Sequence, residues 1–72
     1  MTGDQYQKAI DHLGMTQVGS ARFLGVDEST PRRWISGKRR PIPRPVAMLL
    51  RVMIHHKLDP LHVLELEDNV AL

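Results

Sequence analysis

The stretch Thr16-Gln17-Val18-Gly19-Ser20-Ala21-Arg22-Phe23-Leu24-Gly25-Val26, read on to Trp34-Ile35-Ser36-Gly37, decides the fold. Thr16 is a capping type, and Val18, Ala21 and Leu24 follow it at the spacing of one helix face. Gly25 adopts left-handed backbone at little cost and so ends that helix. The connection from Gly25 to Asp27 is three residues long. Two helices joined this tightly must cross at a large angle, as in a helix-turn-helix. The next helix is expected near Glu28 to Ser36, with Asp27, Ser29 and Thr30 as capping types and Gly37 at its end. Pro31 limits its start. With Asp27 as cap, the proline removes the first intrahelical bond; with Thr30 as cap, it takes the favoured first position. The reading leans to a strained or 3₁₀ first turn beginning near Glu28.

Upstream, Tyr6, Ala9, Ile10 and Leu13 give helical periodicity over Asp4 to Leu13, with Thr2 or Asp4 as cap and Gly14 as terminator. Downstream, Lys38 to Pro43 is a loop with prolines at 41 and 43. A fourth helix is expected from about Pro45 to His56, its apolar stripe made of Val46, Leu49, Leu50, Met53 and Ile54. Asp59-Pro60 then starts a short fifth helix carrying Leu61, Leu64 and either Val63 or Leu66, and Asn69 to Leu72 should fray. Period-2 alternation is absent. The expectation is one all-α domain over residues 1–72. It has five helices, a helix-turn-helix at about 16–37, and a C-terminal helix and tail over 58–72.

With 72 residues and no cysteine, the chain offers no disulfide scaffold, thiolate zinc site or thiol nucleophile. No apolar run approaches the ~20 residues of a membrane span, and Met1 to Lys8 lacks the pattern of a signal peptide. A cytoplasmic protein without membrane contact is therefore expected. No nucleophile–base set or glycine-rich phosphate loop is present, and a chain this small leaves little room for a pocket beside its core, so an enzyme is not expected. His55, His56, His62 and Glu65 lie near one another, but adjacent helical residues point about 100° apart and two ligands make no zinc site. No metal or cofactor is expected.

The net charge of +2 conceals a strong segregation. Residues 1–21 carry −1, residues 22–57 set nine Lys/Arg against Asp27 and Glu28, and residues 58–72 hold four acids and no base. Six basic residues and no acid lie from Arg32 to Arg44. Such a block fits a polyanion partner or, more plainly, a solvated basic loop.

The stretch from Thr16 to Gly37 resembles the helix-turn-helix of the lambda-repressor-like (Cro/repressor, XRE-type) DNA-binding family. The matching residues are Gln17 at the start of the first motif helix, small Ala21 at the helix crossing and Gly25 in the turn. Trp34 matches as the apolar anchor of the recognition helix, and Gly37 closes it. Pro41-Ile42-Pro43 with Val46, Leu49 and Leu50 resembles the fourth helix of small members, so the likeness spans about residues 4–57. Ser20 and Pro31 depart from the pattern, since both stand where the family commonly has an apolar residue. The matched types have physical reasons: a larger side chain than Ala21 would push the helices apart, and Trp34 buries enough apolar area to fix its helix.

The resemblance implies sequence-specific binding to double-stranded DNA, with transcription regulated by operator occupancy. The family places the N-terminal residues of its recognition helix at base edges in the major groove. Carried over, Glu28, Ser29, Arg32 and Arg33 face bases. A glutamate can accept from cytosine N4 and an arginine can fork onto guanine. The plainer alternatives are that Arg33 touches phosphate and that Glu28 serves only the helix dipole. Thr16, Gln17, Arg22, Lys38, Arg39, Arg40 and Arg44 are the expected phosphate contacts, unless Arg44 pairs with a local carboxylate. Family members commonly dimerise, and the apolar residues after Lys57 suggest a homodimer through the C-terminal helix. Small members also serve as antitoxins, which makes a toxin protein the rival partner for that segment.

Overall fold

Short polar side chains set the helix starts in the computed structural model, which describes residues 1–37 and 41–69. The Thr2 hydroxyl accepts from the Gln5 amide at 3.1 Å, while the Gln5 side chain accepts from the Thr2 amide at 2.8 Å. This reciprocal capping box opens α1 (Gly3–His12). Thr16 accepts from the Gly19 amide at 2.9 Å and opens α2 (Gln17–Leu24). Asp59 accepts from the Leu61 amide at 3.0 Å ahead of α5 (Pro60–Asn69). Asn69, expected to fray, is the last residue of that helix. The remaining helices are α3 (Thr30–Ser36) and α4 (Arg44–His55). The described residues contain these five helices and no strand. None of the helices is long and apolar enough to cross a membrane.

The α-helical part of α3 begins at Thr30 rather than near Glu28, and a turn closed by an i→i+3 bond, of the 3₁₀ type expected there, precedes it. Asp27 accepts from both the amide and the hydroxyl of Ser29, and its own carbonyl accepts from the Thr30 amide at 2.9 Å. A separate tight turn therefore occupies Asp27 to Thr30, and helical bonding begins only after it. Ser29 takes the cap position in helical conformation, with its hydroxyl already committed to Asp27. Pro31 falls in the first helical turn, where an amide has no intrahelical partner to lose.

Three helices end alike. Gly14, Gly25 and Lys57 adopt left-handed backbone, at φ 76°, 73° and 55°. In each case the next residue's amide reaches back five positions: Met15 to Ile10, Val26 to Ala21 and Leu58 to Met53, at 2.8, 3.0 and 2.7 Å. These are Schellman motifs, which satisfy carbonyls the helix leaves free. Met15, Val26 and Leu58 then pack half-buried against the core.

The core centres on α1, which packs against α3, α4 and, less extensively, α2; α2 also packs on α3. Tyr6, Ala9 and Ile10 meet Trp34, Ile42, Leu50 and Met53. The rings of Tyr6 and Trp34 stand edge to face, with centroids 5.4 Å apart. Gly3 lets α1 approach the end of α3, because a Cβ there would lie 2.8 Å from backbone atoms of Trp34 and Ile35. Helix α5 joins the core through half-buried Val63, while Leu61, Leu64 and Leu66 stay exposed.

Candidate nucleic-acid interface

The helix pair α2–α3 is built around small residues. Ala21 is fully buried on α2, and Gly25 turns the chain within one residue. Along α3, Pro31 and Trp34 share the buried face. Arg32, Arg33 and Ser36 are exposed on the other. The Trp34 indole lies under the helix against Tyr6, so it serves as an anchor and presents no ring at the surface. Gly37 closes α3 by donating its amide to the Arg33 carbonyl at 2.6 Å. A Cβ on Gly37 would come within 2.5 Å of that same oxygen.

Two of the expected DNA-contacting residues engage each other. Arg22 donates through Nε and one Nη to the same Glu28 carboxylate oxygen, at 3.3 and 3.1 Å. This pair is the one ion bridge among the described residues, and both side chains are mostly exposed. Such a surface bridge contributes only about 0–1 kcal/mol. Its position matters more than its strength, because it clasps the last turns of α2 to the segment preceding α3. The sequence held the signal, opposite charges six residues apart across a tight turn, but the separate roles given to Arg22 and Glu28 overlooked it.

Ser29 is half-buried and bound to Asp27. That hydrogen bond first, and the Ser29 amide second, hold the Asp27 carboxyl below its usual range; desolvation opposes them, and the Arg33 charge adds the smallest contribution. Arg33 therefore sits within electrostatic reach of the turn that launches its own helix.

At the other end of α2, Thr16 is exposed and Gln17 half-buried. The Gln17 amide group donates to the Gln7 side chain at 3.0 Å, tying α2 to α1. Arg44 is exposed as the first residue of α4 and forms no ion pair among the described residues. Lys38, Arg39 and Arg40 lie outside the described residues.

Ser20, a departure from the family pattern, is fully buried. Its hydroxyl accepts from the Tyr6 hydroxyl at 2.6 Å and donates to the Gln17 carbonyl at 2.8 Å. Pro31, the other departure, is fully buried as well. Phe23 and Leu24 both pack half-buried on the core. The His55 and His56 rings meet edge to face at 4.9 Å. Among the described residues, no three His, Asp or Glu side chains gather as a metal site would require. Comparison with protein-family models, with curated proteins and with solved structures returns no match.

Proposed function

We propose that the chain binds double-stranded DNA, with α3 in the major groove, and regulates transcription by occupying an operator. The observation that carries this reading is the division of α3. Pro31 and Trp34 fasten one face to the body, and Arg32, Arg33 and Ser36 are left outward. A helix seven residues long, fixed by one face and basic on the other, is suited to insertion beside a short preceding helix. Arg33 is the residue best suited to guanine, and Arg32, Ser29 and Glu28 complete the base-facing set. With Arg22 already on Glu28, the cost of turning that carboxylate toward DNA is reduced, and Arg22 reaches phosphate only by leaving it. Thr16, Gln17 and Arg44, with Lys38, Arg39 and Arg40, supply contacts that set position without reading sequence.

One such helix reads too few base pairs to select a genomic site. A homodimer through α5 solves this by placing two recognition helices in successive major grooves, about 34 Å apart. The same exposed leucines favour a second reading, an antitoxin whose α5 holds a toxin protein. Selection of bound DNA from a random pool at two salt concentrations tests the primary reading. A palindromic consensus enriched at both supports it. Recovery of random sequence at low salt and nothing at high salt rejects it.

A further inference from the structure

Helix α4 carries an unpartnered face of its own. Met48 and Val52 are 53% and 49% exposed and one turn apart, so they form a continuous apolar ridge. Arg51 and His55 lie beside this ridge on the same exposed face. Arg51 also borders a depression of about 360 Å³ between α1 and α4, which Lys8 and His12 enter from α1. No carboxylate lines that depression. The surface is thus apolar along its crest and basic along its flank.

Helix α5 has the complementary character. Leu61, Leu64 and Leu66 are exposed, Glu65 and Glu67 are exposed among them, and residues 58–72 contain no base. Packing α5 on another α5 would bring three acids against three. Packing α4 on another α4 would oppose Arg51 to its own kind. Packing α5 on α4 covers both apolar surfaces and places acids on bases. A foreign basic partner for α5 would still leave Met48 and Val52 in water.

We propose that the occupant of the α1–α4 face is α5 of a second copy of this chain. Leu61 and Leu64, which share one side of α5, then lie along Met48 and Val52, and Glu65 and Glu67, which flank that pair on either side, reach Arg51 and Lys8. Made reciprocally, the contact is used twice and closes as a two-fold dimer. The inference takes from the reading above only that α5 mediates self-association. The test contains no DNA, so its failure leaves DNA recognition by α3 standing.

Sedimentation of the full chain, without DNA and over a range of concentration and salt, is the experiment. The wild-type chain should dimerise, and less so as salt rises. The face variant K8E/R51E and the helix variant E65K/E67K should each weaken association by about tenfold or more, because like charges oppose each other at the contact. An equal mixture of the two should restore association to near the wild-type value, since each altered surface then meets its opposite. A second measurement uses the absence of cysteine from the chain. Met48→Cys and Leu64→Cys chains, mixed under a mild oxidant, should cross-link to each other in preference to themselves. A monomer at all concentrations, a face variant that dimerises normally, folded variants whose mixture fails to recover, or cross-linking chiefly between like chains would each overturn the proposal.

Discussion

The hydroxyls of Tyr6 and Ser20 are both fully buried and satisfy each other. Burial raises the Tyr6 phenol above its ordinary value, and the bond to Ser20 opposes that shift only partly. The folded chain therefore holds this proton more tightly than the unfolded chain does. The resulting stability is complete below about pH 10, the unfolded value, and is lost as pH rises through the folded one. Tyr6→Phe should flatten this alkaline loss in melting curves compared with the wild-type chain. Ser20→Ala leaves the phenol without a partner and should cost about 1–3 kcal/mol, whereas Tyr6→Phe with Ser20→Ala should cost less than the two single changes added together. A double variant that is simply additive would show that the pair is uncoupled. Lys57 is the other residue of note, a lysine where α1 and α2 end on glycine. Lys57→Gly relieves a left-handed side chain and should stabilise the fold by about 1 kcal/mol, read as a rise in melting temperature. Gly14 and Gly25 were legible in the sequence because glycine advertises this conformation. Lys57 was not, because the burial of Leu58 imposes the turn and a lysine near a helix end looks ordinary.

At the scale of elements, α1, α2 and α4 were legible from apolar period and capping residues, and their bounds fall within about two residues of those expected. The start of α3 was not. Pro31 is compatible with two registers, and what separates them is a side-chain bond from Ser29 to Asp27 that composition does not reveal. Asp27→Ala should therefore lower the melting temperature by loosening the turn before α3. The Asp27 carboxyl is held below its ordinary value, so its contribution is present above the usual carboxylate range and is lost as pH falls through the folded value. The wild-type chain and the variant should converge in melting temperature as the solution is acidified, and a constant gap would remove the carboxylate from the account. With seven residues, α3 is too short to persist alone and depends on its buried face. Trp34→Ala should cost about 3–5 kcal/mol, a large part of the stability of so small a domain. A variant melting within a few degrees of the parent would mean that another residue holds α3.

For the whole molecule, charge segregation was legible in the sequence, but its use was not. The same basic region holds exposed arginines on α3 and on α4. Ser20 and Pro31 are both fully buried. The Arg22–Glu28 clasp joins opposite charges six residues apart, but whether they meet depends on the path of the turn, which spacing alone does not give. In the proposed complex α3 reads base sequence, while Arg44 and the basic segment before it hold phosphate. The most direct test of this division is the affinity of wild-type, Arg33→Ala and Arg44→Ala chains for a selected site and its single-base variants, across a salt series. Arg33→Ala should lose about 1–3 kcal/mol of discrimination, confined to one base position in each half-site. Arg44→Ala should weaken every sequence alike and reduce the salt slope by about one unit per site. Unchanged base preference in Arg33→Ala, with a uniform loss like that of Arg44→Ala, would contradict the claim.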